Sequence, residues 1–140
     1  MGWLFYAIGS AIFAAATAIL AKIGVKDVDS NLATAVRTLI IVVFAWGIVF
    51  LTGAQKGISQ ISRFSLVFLL LSGLATGLSW LFYFRALQLG KASQVAPIDK
   101  LSLVLTIIFA AIFLSEKISW SIGVGVILIT AGTLLVAFAK

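Results

Sequence analysis

The stretch that decides the fold reads FSLVFLLLSGLATGLSWLFYF at residues 64–84, RALQLGKASQVAPIDK at 85–100 and LSLVLTIIFAAIFLS at 101–115. Two continuous apolar runs flank a polar strip, which holds the only proline, Pro97, and places Asp99 beside Lys100. Continuous runs are typical of membrane-spanning helices, whereas barrel strands alternate, because a segment in lipid must bond all its backbone groups internally. The sequence therefore predicts an all-α integral membrane protein.

The composition of the whole chain supports lipid as its solvent. Of its 140 residues 63% are hydrophobic and 10% charged, against roughly 45–50% and about 25% in soluble domains. A membrane span takes about 20 apolar residues, and the charges leave five windows of 15 to 22 residues. The predicted helices occupy residues 2–23, 32–53, 64–84, 96–115 and 118–139, as a single domain of residues 1–140.

The residue types present exclude most catalytic chemistry. There is no cysteine and no histidine, which removes thiolates, imidazole and the usual transition-metal ligands. No metal or cofactor is predicted. Asp99 and Lys100 are neighbours whose side chains diverge by about 100° on a helix, so they make no nucleophile–base pair. An enzyme is not predicted. The net charge of +6 sits in short loops between spans, so nucleic-acid binding is not predicted either.

Polar and aromatic side chains within the spans are the candidate substrate-binding residues. Thr76, Trp80 and Tyr83 share one helical face with Gly73, which predicts a cavity floor with aromatic walls. The alternative is an aromatic belt at the helix end, formed by Trp80, Phe82, Tyr83 and Phe84. Mid-span Trp46 is interpreted as core packing or as a cavity wall. Two further hydroxyls form a polar stripe on helix four, at Ser102 and Thr106.

Charged residues at the helix ends are candidates for an entrance. Arg37 lies in the first turns of helix two, where it can reach the lipid headgroups or face a cavity mouth. Helix four is predicted to begin at Ala96 or Pro97, since proline is favoured in a first turn. Asp99 and Lys100 would then lie in that first turn. There Asp99 either complements the positive helix N-terminus or lines an entrance with Lys100.

Small residues predict where helices pack closely. Lipid provides no hydrophobic drive for helices to associate, so their association depends on close approach of the backbones. Gly73 and Gly77 form a GxxxG motif in helix three, and Gly125 and Gly132 are the matching candidates in helix five.

Several motifs in order resemble the EamA domain of the drug/metabolite transporter superfamily. They are Ala21-Lys22, the early Arg37, YFRAL at 83–87, Ala92-Ser93, Ala96-Pro97, LSEKIS at 114–119, Gly123 and ITAG at 129–132. The resemblance covers essentially the whole chain as one five-helix unit. Most EamA proteins are implied to carry two such units as inverted repeats, so one unit implies a homodimer or a second half as partner.

The resemblance implies a secondary transporter or facilitator of small organic metabolites, amino-acid-like or aromatic. Its cavity would be walled by Trp46, Thr76, Trp80 and Tyr83, with Ser102 and Thr106 as hydrogen-bonding groups. Arg37, Asp99 and Lys100 would meet charged substrate groups. The alternative is a membrane assembly module, or a regulatory half of another transporter, that packs through its small-residue faces and transports nothing itself.

Basic residues predict the orientation in the membrane. Seven lie on the side of the C-terminus and three on the side of the N-terminus, so the C-terminus is expected in the cytoplasm. The seven are Lys22, Lys26, Arg37, Arg85, Lys91, Lys100 and Lys140, and the three are Lys56, Arg63 and Lys117. The location would be the plasma membrane, for a bacterium the inner one. Parallel assembly, antiparallel assembly and dual topology all stay open.

Overall fold

The computed structural model describes residues 2–139, so Lys140 of the charge count lies outside the described chain. It contains six α-helices: α1 (Gly2–Gly24), α2 (Ser30–Thr52), α3 (Arg63–Leu89), α4 (Ala92–Asp99), α5 (Leu101–Phe113) and α6 (Trp120–Phe138). A 3-10 helix, Ala54–Gln60, connects α2 to α3. No strand occurs in residues 2–139, which confirms the all-α prediction.

Five segments are long and apolar enough to cross a membrane, as predicted. They are α1, α2, α3, the combined segment Ala92–Phe113 that joins α4 to α5, and α6. Each has 19 to 27 residues, or about 28–40 Å at about 1.5 Å rise per residue. That length matches a hydrocarbon core of about 30 Å.

Helix α3 continues beyond its predicted end at Phe84 and stops at Leu89. The extension contains Arg85, Ala86, Leu87, Gln88 and Leu89. Its alanine, leucines, glutamine and arginine are strong helix formers. A charge ends an apolar run but does not end a helix, and Gly90 follows as the first poor helix former.

The predicted start of the fourth span was wrong. Helix α4 begins at Ala92, so Pro97 is its sixth residue and lies inside the helix rather than in its first turn. Proline has no N–H to donate to the carbonyl of Ser93. Three residues later, at Lys100, α4 gives way to α5, and the Lys100 N–H bonds the Pro97 carbonyl at 2.9 Å.

Helix ends follow local rules. Asp29 caps α2, where its carboxylate accepts the N–H groups of Asn31 at 2.9 Å and Leu32 at 3.1 Å. Gly53 ends α2 at φ 73°, a left-handed conformation that glycine adopts without strain. Ser119 caps α6, where its hydroxyl accepts the Ile122 N–H at 3.3 Å.

The chain divides into two compact units. The first unit holds residues 2–20 and 89–139, and the second unit holds residues 21–88. In the first unit α4 and α5 pack on α6, and the Gln94 side-chain amide donates to the Ala137 carbonyl at 3.2 Å. In the second unit three apolar side chains are almost fully buried: Val25, Phe84 and Leu87. This second unit carries the candidate site.

Candidate substrate site in the second unit

Arg37 lies on aromatic rings of α3. Its guanidinium carbon is 4.6 Å from the ring centroid of Trp80 and 5.2 Å from that of Phe84. A cation within about 6 Å of an aromatic face is attracted by the ring's quadrupole. The two helices thus bring together two residues that the sequence proposed separately, Arg37 for charge and Trp80 for a wall.

This contact lies well inside the spans. Arg37 is the eighth residue of α2 and Trp80 is nine residues before the end of α3. At about 1.5 Å per residue these positions are about 10 Å and about 14 Å from their helix ends. Arg37 is half-buried, and so is Trp80.

Beyond Trp80, the end of α3 is joined to the segment that follows α1. The Gln88 side-chain amide donates to the carbonyl of Val25 at 3.0 Å and to that of Val28 at 2.6 Å. The Arg85 guanidinium donates to the Gln88 side-chain oxygen at 3.0 Å, which leaves the amide nitrogen facing the two carbonyls. Carbonyls beyond a helix end have no hydrogen-bond partner within the helix. The Gln88 amide is that partner for the carbonyls of Val25 and Val28.

A lysine joins the same two segments. The Lys22 ammonium, in the last turn of α1, donates to the backbone carbonyl of Leu87 in α3. Leu87 and Val25, whose carbonyls accept hydrogen bonds from Lys22 and Gln88, are 0% and 1% exposed. We call Lys22, Val25, Leu87 and Gln88 the α1–α3 clamp.

The other predicted wall residues of the second unit take different positions. The Tyr83 ring meets Phe84 edge-on, with centroids 6.3 Å apart. The Thr76 hydroxyl donates to the Ser72 carbonyl at 2.9 Å, so it can offer a ligand only an acceptor. Trp46 is exposed and its ring contacts Phe50, one turn further along α2.

Ser102 and Thr106 belong to the first unit. They lie on α5, where the Thr106 hydroxyl donates to the Ser102 carbonyl at 2.8 Å. Both side chains are exposed. Their prediction as hydrogen-bonding groups of a substrate cavity stays a prediction.

The placement of Asp99 and Lys100 in a first turn was wrong. Asp99 is the last residue of α4 and Lys100 stands between α4 and α5. The start of α4 is capped by the backbone of Lys91 instead. The Lys100 ammonium lies 3.4 Å from the Asp99 carboxylate, so the two charges are paired with each other.

The glycines predicted for helix packing have open surroundings. A Cβ built at Gly73, Gly77, Gly125 or Gly132 would meet no atom of its own unit within 4 Å. Any close packing through these positions would therefore involve a neighbour from outside the unit.

Several residues of the second unit were missed or misread from the sequence. Phe84 was grouped with an aromatic belt, but it is 2% exposed and lies under Arg37. Gln88 was placed in the polar strip between the third and fourth predicted helices. A polar residue that continues a helix past the apolar run was the available signal, because such a residue can reach the neighbouring helix end.

The arrangement is suited to recognise charge, because it offers a guanidinium on aromatic faces. Within residues 2–139 no group of three or more His, Cys, Asp or Glu side chains could hold a metal ion. An arginine held in this way can receive a planar anion through its fork of N–H donors.

Comparison with known proteins supports a transport role. Residues 1–138 match the model of the EamA-like transporter family. The chain is 50% identical over 135 residues to a Sinorhizobium protein named an uncharacterized transporter in the cobO 3′ region, and the match covers 96% of each chain. No solved structure matches. This chain belongs to the EamA-like transporter family of membrane transporters.

Proposed function

We propose that the protein is a secondary transporter or facilitator of small organic metabolites, amino-acid-like or aromatic, working as a dimer of five-helix units. Family membership supports the transport role. The observation that carries the substrate class is the contact of Arg37 with Trp80 inside the spans. A guanidinium next to an indole face suits a ligand that has both a charged and a flat apolar part.

The Trp80→Ala change tests this site. We expect flux of an accepted substrate into proteoliposomes to fall about tenfold, because losing an aromatic–cation and stacking surface costs about 1–2 kcal/mol. Flux of labelled amino acids and aromatic acids is measured with the purified chain. Trp120→Ala is the matched control, since Trp120 is 87% exposed at the start of α6. Unchanged flux in Trp80→Ala would show that the predicted cavity face is wrong.

Two observations support a dimer of single units. The Sinorhizobium relative matches over 96% of its own length, so it too has about the size of one five-helix unit. The open surroundings of Gly73 and Gly77 leave a small-residue face for a second copy. Site residues of inverted-repeat transporters lie where the repeats meet, and two copies would provide such an interface.

The orientation of the copies is tested with a reporter fused to the C-terminus. The excess of basic residues on the C-terminal side predicts signal from the cytoplasmic side alone, which fits a parallel assembly or a separate partner half. Comparable signal on both sides would contradict the charge count and support an antiparallel homodimer. Fusion to the exposed loop before Arg63 is the control, because it should report the opposite side.

A further inference from the structure

We propose that Arg37 binds an oxyanion, and that this oxyanion is the carboxylate of the transported substrate. The inference rests on the proposed function, and it narrows the substrate class to small organic carboxylates. It follows from a comparison of what the cationic side chains near this site already do.

Two other basic side chains of the second unit are bonded to the protein itself. Lys22 donates to the Leu87 carbonyl and Arg85 donates to the Gln88 side chain. Each of these side chains has a protein acceptor that accounts for its position.

Arg37 differs from them in its partners. Within residues 2–139 its guanidinium has no carboxylate within 4.0 Å and donates no hydrogen bond. It lies on the faces of Trp80 and Phe84, and it interacts electrostatically with Tyr83. Contact through the flat face leaves the N–H donors at the rim unused. A guanidinium carries five such donors in a fork that fits a carboxylate or a phosphate with two parallel bonds.

The position of Arg37 makes an unused charge costly. Placing an arginine in a membrane span costs free energy, most at the helix centre and less toward the ends. The guanidinium lies against Phe84, which is 2% exposed, and against the half-buried Trp80. A cation with unused N–H donors beside an indole is suited to receive an anion that carries a flat apolar group.

A lipid headgroup offers the same chemistry as a substrate carboxylate. Arg37 lies about 10 Å from the start of α2, and a long side chain can reach outward to phosphate oxygens. The experiment must therefore separate a soluble carboxylate from a lipid phosphate.

The test uses the full chain in nanodiscs made of zwitterionic phosphatidylcholine, with benzoate as the probe and benzamide as its neutral counterpart. Arginines are modified with phenylglyoxal and quantified by mass spectrometry. We expect benzoate to slow modification of Arg37 at least about fivefold in a saturable way, and benzamide to have no effect. Arg63 is the internal control, because it is exposed at the start of α3.

Variants provide a second reading through tryptophan fluorescence. Benzoate should change the emission of Trp80, and Arg37→Gln should weaken the apparent affinity at least about tenfold, whereas Arg37→Lys should keep part of it. Arg63→Gln should keep the apparent benzoate affinity of the chain without substitutions. Thermal unfolding shows whether Arg37→Gln still folds, and the phenylglyoxal result stands without any variant.

Three outcomes would overturn the inference. Equal protection by benzamide would show that charge is not recognised. Absence of any protection by benzoate would show that Arg37 binds no carboxylate. Protection by anionic phosphatidylglycerol discs that benzoate cannot displace would assign the site to lipid.

Flux measurements separate this inference from the proposed function. Transport of neutral or cationic metabolites that is insensitive to Arg37→Gln would leave the transporter proposal standing and overturn the carboxylate site. Binding of benzoate at Arg37 without flux of any compound would contradict the transport proposal and support an anion site.

Discussion

Replacing Leu87 by alanine is expected to lower the free energy of unfolding by about 2–3 kcal/mol. Leu87 is 0% exposed, and its carbonyl accepts a hydrogen bond from Lys22 in the last turn of α1. Lipid tails are as apolar as leucine, so the loss comes mainly from the void and the missing packing contacts rather than from transfer to water. The loss of unfolding free energy is measured by titrating the protein in mixed micelles with a denaturing detergent.

Leu89→Ala is the matched control for this experiment. Leu89 lies two residues further along α3 and is 75% exposed, so its truncation should change stability by less than about 0.5 kcal/mol. Equal losses for the two variants would mean that the α1–α3 clamp is not a packed core.

Replacing Gln88 by leucine is expected to cost about 1–2 kcal/mol. The change removes both donors from the carbonyls of Val25 and Val28 and leaves Arg85 without its acceptor. The segment after α1 should then open more often. Because the chain has no cysteine, a Val25→Cys thiol can report that opening by its rate of maleimide labelling.

We expect the Val25→Cys thiol to label about tenfold faster when Gln88 is leucine, since an opening made about 1.4 kcal/mol easier is about ten times more populated. Gln60→Leu serves as the control, because Gln60 is exposed at the end of the 3-10 helix. Labelling at the same rate in both backgrounds would contradict a clamp held by Gln88.

The helix boundaries show where sequence reasoning succeeds and where it fails. Apolar runs predicted the five spans, because the length of hydrocarbon to be crossed is read from contiguous residues. The end at Phe84 was wrong because it was placed by polarity, and the start at Ala96 was wrong because Pro97 was taken for a first-turn residue. Helix formation continued through Leu89 and resumed at Ala92, where backbone propensity outweighed the polar composition of the strip.

The candidate site shows the same division. The depth of Arg37 and the aromatic face of Trp80 could be predicted from helical spacing. Their contact could not, because the two residues are 43 positions apart (80 minus 37) and no local pattern encodes that pairing. Phe84 looked like an aromatic belt residue until the tertiary contact with Arg37 placed it under a cation.

By itself, the sequence determined the solvent of this protein, the number of its spans and its resemblance to the EamA family. All three depend on composition and on the order of short motifs along the chain. The tertiary structure alone decided that Lys22 bonds a backbone carbonyl of α3 and that Arg37 lies on aromatic faces of α3. Lys22 and Arg37 are both basic residues on apolar helices, and only contacts with α3, 65 positions away for Lys22, distinguish their surroundings.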